Sequence, residues 1–180
     1  MKKLVLAVSL LACLLLTACG NAAQQRFLAF SEELAQRDAL SFTADLTASY
    51  PDRDAAFTLR YELSDGTQRI TVLAPGSISG VSARIDADGT KLEYDGAVLD
   101  TGDLDGFGLS PMSALPAVVT ALTQGHADAF WTEDGMDAVE LQLDDSTTVR
   151  VHFGRDGVPC RAELISDGTV TVVCQIKNWS

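Results

Sequence analysis

The chain has 180 residues, 47% of them hydrophobic, and sets 13 basic against 25 acidic side chains for a net charge of −12 at neutral pH. That balance argues against nucleic acid as a partner and against binding to anionic membranes through charge, because nothing like a Lys/Arg stripe interrupts the acidic surface. The length suits one domain with a real core.

Met1-Lys2-Lys3 is followed by Leu4 to Leu16, apolar or small at every position, which is the arrangement of a secretory signal peptide. The run is shorter than the roughly 20 residues of a transmembrane helix. It ends in Leu16-Thr17-Ala18-Cys19, which resembles the lipobox of bacterial lipoproteins. The resemblance implies cleavage before a diacylated Cys19, leaving the protein in the cell envelope, anchored on the outer side of a membrane. The competing reading, an ordinary signal cut after Ala18, would leave an unpaired thiol at the new N-terminus. Two acyl chains hold stably where one holds marginally. Residues 1–18 are thus expected to be a signal peptide, 19–23 a lipidated tether reaching at most about 15 to 18 Å, and 24–180 the domain. Loss of Lys2 and Lys3 takes the net charge from −12 to −14.

Gln24 to Arg37 reads as a helix with Phe27, Phe30 and Leu34 on one stripe. It is either a packing helix or a lid whose stripe faces a hydrophobic ligand. From Ser41 the period becomes two, with Phe42, Ala44, Leu46, Ala48 and then Phe57, Leu59, Tyr61, Leu63 on one face. The alternation returns at Ile70 to Ala74, Val81 to Ala87, Leu92 to Tyr94, Val139 to Leu143 and Val149 to Phe153. Asp-Gly pairs beginning at residues 65, 88, 95, 105, 134, 156 and 167 mark hairpins between them. One helix interrupts the series. Ser110-Pro111-Met112-Ser113 starts it, Gly125 closes it, and Leu115, Val118, Val119 and Leu122 form its apolar stripe, a second candidate ligand-facing set. Because Pro116 suits only a first turn, regular helix is expected over residues 113–124.

Cys13 leaves with the signal, so Cys160 and Cys174 form an even pair in an exported protein, most simply a disulfide. If Ser166-Asp167-Gly168 is a three-residue loop, Cys160 stands opposite Cys174. A two-residue Asp-Gly turn would instead shift the register by one and set them on opposite faces, as two free thiols.

Motifs that carry chemistry are few. Val98-Leu99-Asp100-Thr101-Gly102 looks like half of an aspartic protease site, but occurs once and reads as a turn. Asp100, Asp103 and Asp105 fall in an EF-hand-like frame that puts Met112 where the bidentate Glu belongs. His126 and His152 have no nucleophile nearby in sequence, and His152 falls on the wet face of its strand. No nucleotide, zinc or hydrolase motif occurs. The expectation is a non-enzyme without metal or cofactor.

A meander with one dry face and two amphipathic helices solves its burial problem as an α+β fold, mainly antiparallel β: an unclosed curved sheet, or half-barrel, with the helices on its concave face. The order of elements resembles the LolA/LolB-like superfamily of lipoprotein carriers and their lipidated relatives. The likeness rests on the N-terminal helix leading into Leu40-Ser41-Phe42-Thr43-Ala44-Asp45-Leu46, on Ile70-Thr71-Val72-Leu73-Ala74-Pro75, Gly80-Val81-Ser82-Ala83 and Lys91-Leu92-Glu93-Tyr94-Asp95-Gly96, on the Pro-containing helix, and on the closing Pro159-Cys160 to Trp179 hairpin. It implies a concavity that holds acyl chains or another hydrophobic ligand. The alternative is a structural or regulatory lipoprotein that binds another envelope protein.

Overall fold

A computed structural model describes residues 18–102 and 110–180. The signal-like segment through Thr17, Asp103, Asp105 and the Asp-Gly pair at 105 lie outside the described residues. Helix α1 spans Ala18–Ala35. Six strands follow: β1 Ala39–Tyr50, β2 Arg53–Ser64, β3 Thr67–Ala74, β4 Ser82–Asp86, β5 Gly89–Tyr94 and β6 Ala97–Gly102. Helix α2, Pro111–Gln124, leads to β7 His126–Glu133, β8 Met136–Gln142, β9 Thr147–Phe153, β10 Pro159–Ser166 and β11 Thr169–Lys177.

The strands form one antiparallel sheet in the order β6-β5-β4-β3-β2-β1-β11-β10-β9-β8-β7. The two ends of the meander meet in the middle, where Leu46 pairs with Cys174. The edges β6 and β7 remain unpaired with each other, so the sheet is a half-barrel, as its sequence pattern implies. Since α2 connects those two edges, it has to cross the concave side. Its 14 residues span about 21 Å at the rise of an α-helix.

Hairpin geometry follows the Asp-Gly pairs. At 65, 95, 134 and 167 both residues of the pair have positive φ, the two-residue turn that matches strand twist. The pair at 88 behaves differently: Asp86 pairs with Gly89, so the turn is Ala87-Asp88. At 156 a longer loop is closed by Gly154 N–H donating to Val158 O at 2.8 Å.

Two expectations are corrected at the helices. The first helix begins at Ala18 and not at the expected Gln24, so residues 19–23 are part of α1; the Ala- and Gln-rich segment up to Gln25 contains strong helix formers and no proline. The second helix starts at Pro111, with Ser110 as its cap accepting from Met112 N–H at 3.2 Å. Pro116 therefore sits beyond the first turn, at the cost of the bond its missing N–H would have made to Met112 O.

The core is one cluster on the concave face. Phe42, Ala44, Leu46, Leu59, Tyr61, Ile70, Leu141, Val149, Val151, Leu164 and Val172 project from the sheet onto Leu115, Val118, Ala121 and Leu122 of α2. Trp179, beyond β11, stacks on Phe42 with ring centroids 4.8 Å apart, and Ser180 exchanges backbone hydrogen bonds with Ser41. The convex face carries ion pairs such as Arg69 to Glu93 at 2.6 Å and Arg150 to Glu140 at 2.9 Å.

Candidate functional site

The concavity has no room left at its centre. Leu115, Val118 and Leu122 are 0% exposed and Val119 is 9% exposed, all packed against the sheet. These α2 residues border neither of the two depressions described below and act as filler. Leu34, buried at 4%, does the same at the end of α1. What the two helices leave open lies to one side, between the first half of α1 and the hairpins β7–β8 and β9–β10. There a groove of about 540 Å³ is bounded by Ala22, Ala23, Arg26, Phe27 and Phe30 on the helix and by Phe130, Val139 and Phe153 on the sheet. Its size falls within the range of small-molecule sites.

Phe27 and Phe30 are brought together there with aromatic rings that lie far from them in sequence. Phe27 lies 5.7 Å from Phe130 and 6.3 Å from Phe153, while Phe30 meets Phe153 edge-on at 5.2 Å. Across the groove Arg26 Nε donates to Asp137 Oδ2 at 2.6 Å, and Thr132 Oγ1 donates to Asp137 Oδ1 at 3.0 Å. Arg26 is thus a clamp between α1 and β8. Apart from this rim and Arg155, the surface is suited to an apolar chain, which would cover the exposed parts of the half-buried Phe30 and Phe130 rings. Phe153 was findable, since it continues the dry face of Val149 and Val151. The Arg26 to Asp137 clamp had no sequence signal, because 111 residues separate the partners.

The cysteines do not meet. The hairpin turns through only Asp167-Gly168, with Ser166 paired to Thr169, and an irregularity after Leu164 then places Cys174 opposite Ala162. A second irregularity, between Pro159 and Arg161 on the β9 side, inserts Cys160 as an extra residue and swings it to the convex face. The expected disulfide is corrected to two free thiols. Cys174 is buried in the core, where burial pushes its pKa up to about 12. Cys160 Sγ donates to His152 O at 3.4 Å.

That convex face holds a second, shallower depression of about 790 Å³ containing Trp131, Arg150, His152, Cys160 and Glu163. A thiol near a histidine invites a test for nucleophilic chemistry. Cys160 contacts the carbonyl of His152, not its ring, and burial together with Asp156 raises the thiol's pKa. Burial lowers the pKa of His152. Both shifts keep the groups neutral, the opposite of an activated thiolate-imidazolium pair. Arg150 sits 5.7 Å over Trp131 and bonds Glu140 and Glu163, a structural network. His126 is solvent-exposed beside Asp128 and does not border this depression. Among the described residues no group of three or more His, Cys, Asp or Glu is arranged to hold a metal ion.

No protein-family model matches the chain, and no curated protein matches it either. Solved structures do. The fold is similar to that of a LolA superfamily protein from Nitrosomonas europaea, at 12% identity over 88% of this chain and 92% of the other, with a TM-score of 0.46. It is also similar to an uncharacterized conserved protein from Thermus thermophilus, at 12% identity over 87% and 86% with a TM-score of 0.49. Mycobacterium tuberculosis lipoprotein LppX is similar at 10% identity over 88% and 93%, with a TM-score of 0.44.

Proposed function

We propose that the protein is a membrane-tethered envelope lipoprotein that takes an acyl chain or a similar hydrophobic ligand into the groove beside α1. The observation that carries this reading is the opening of about 540 Å³ lined by Phe27, Phe30, Phe130, Val139 and Phe153, which α2 does not fill. Leu16-Thr17-Ala18-Cys19 supports the anchor, which would hold residues 24–180 against the outer side of the membrane. The role is one of binding and not catalysis: on the convex face the thiol and the imidazole are both held neutral by burial. No cofactor enters into it.

The test is uptake of a fluorescent fatty acid by the purified protein, followed by native mass spectrometry for copurifying lipid. A groove that takes up the probe, and loses it when Phe30 is replaced by Ala, supports the reading. A protein that stays free of lipid and ignores the probe would instead favour the alternative, a regulatory lipoprotein that grips another envelope protein through its surface.

A further inference from the structure

The wall that α1 contributes to the groove consists of Ala22, Ala23, Arg26, Phe27 and Phe30. Cys19 precedes them by three, four, seven, eight and eleven residues, the spacings that keep residues on one face of an α-helix. Cys19 is the second residue of α1, so a chain cleaved before it would begin on that same turn. The backbone of Cys19 therefore stands one turn, about 5 Å, from the first residues that line the groove. A tether of extended chain would have lost this register. A helical one keeps it.

From this register we infer that an acyl chain carried by Cys19 itself occupies the groove, in cis. The inference rests on the reading of Cys19 as lipidated and of the groove as an acyl site, and it names the occupant of that site. Three features support it. Helical spacing counted back from Ala22 and Ala23 assigns position 19 to the same stripe of α1. Beyond Ala22 and Ala23 the groove is lined by Phe27 and Phe30 of α1 and by Phe130, Val139 and Phe153 of the sheet, with Arg26, Thr132, Asp137 and Arg155 as its polar members. And a ligand attached at one turn's distance acts at an effective concentration of about 1 mM or more, so that a free lipid whose Kd is about 10 µM competes at a disadvantage of about a hundredfold.

The consequence concerns the anchor. A diacylated cysteine has two chains, and two hold a protein stably in a bilayer where one binds only marginally and reversibly. With one chain sheltered by Phe27 and Phe30, the protein is held by the other alone. A hydrophobic guest that displaced the sheltered chain would send it back to the bilayer and tighten attachment. Groove occupancy and membrane residence are then coupled through a shared acyl chain.

The experiment uses the full chain, exported and lipidated in cells fed a fatty acid that carries a diazirine. Equal amounts of isotopically heavy and light protein are mixed in phosphatidylglycerol-phosphatidylethanolamine vesicles and irradiated, and the cross-linked peptides are identified by mass. The expected product joins the Cys19 lipopeptide to peptides containing Phe130, Val139 or Phe153, always heavy to heavy or light to light. Cross-links on the same peptides from lipid not attached to Cys19, or mixed heavy-light pairs, overturn the cis assignment and leave the groove as a site for another lipid. Groove peptides with no cross-link at all overturn both readings. Ala22→Trp, at a half-buried position on the rim, and the milder Ala22→Leu serve as paired variants. Either should lose the cis cross-link and pass from vesicle to vesicle more slowly than the wild type. Unchanged cross-linking and exchange in a variant that keeps the wild-type circular dichroism overturns the inference.

Discussion

Replacing Leu122 with alanine separates a helix that fills the concavity from one that faces a ligand. Leu122 is 0% exposed and surrounded by the sheet's inner face. The substitution deletes three carbon atoms, worth about 0.8 kcal/mol each, or about 2.4 kcal/mol. A residual cavity of about 50 Å³ at about 24 cal/mol per Å³ adds about 1.2 kcal/mol. The sum, about 3 to 4 kcal/mol, corresponds to a fall in Tm of about 7 to 14 °C for a domain of this size. Phe30→Ala is the counterpart. Its ring is only partly buried and opens onto the groove, so its removal encloses no void and costs about 1 to 1.5 kcal/mol. Urea unfolding followed by tryptophan fluorescence measures both, because Trp179 is stacked on Phe42 and changes environment when the sheet opens. Fatty-acid uptake is measured in parallel. Leu122→Ala should lose the more stability and keep uptake, and Phe30→Ala should lose uptake at the smaller cost in stability. If Leu122→Ala leaves the midpoint in place and abolishes uptake, α2 faces the ligand and the assignment of the groove is wrong.

Alkylation of the native protein should modify Cys160 slowly and leave Cys174 untouched until unfolding, because a thiol with a pKa near 12 is almost wholly protonated at pH 8; recovery of a Cys160 to Cys174 disulfide from the folded protein would refute the register described. Asp144 accepts from Ser146 N–H and Thr147 N–H, each at 2.8 Å, and these bonds hold its carboxyl below the usual range. Asp144→Ala should cost at most about 1 kcal/mol near neutral pH. A carboxyl whose pKa is depressed by folding stabilises above its unfolded value of about 3.9 and loses that contribution as pH falls through the folded value, so the gap in Tm from wild type should close below about pH 4 and not before. Arg26→Ala should lower stability by less than about 1 kcal/mol, since the ion pair to Asp137 is partly exposed, yet speed dissociation of a bound fatty acid by loosening α1 from β8. Equal off-rates in stopped-flow would remove the clamp from the account.

Much of the fold was legible because it is written locally. Alternation such as Phe42, Ala44, Leu46 needs only a period of two, and each Asp-Gly pair at 65, 95, 134 or 167 supplies the positive φ that its turn demands. The half-barrel with its crossing helix follows once one face of a long meander must be buried. The site was less legible. Phe27 and Phe30 stood out as a helical stripe, but so did Leu115, Val118, Val119 and Leu122, and periodicity alone cannot separate a stripe that seals a core from one that borders an opening. The difference depends on how completely the sheet wraps each helix.

The sequence by itself determined the strand pattern, the turns, the inserted helix and the anchor-like cysteine, since each is specified by neighbours within a few residues. Only the tertiary structure decided where empty space remains and which faces the cysteines take. After the two-residue turn the irregularity beside Ile165 alone would bring Cys160 and Cys174 back to one face, and the second, at Cys160, returns them to opposite sides of the sheet. In a structure with a period of two, one inserted residue reverses every orientation beyond it, and no local pattern announces the insertion.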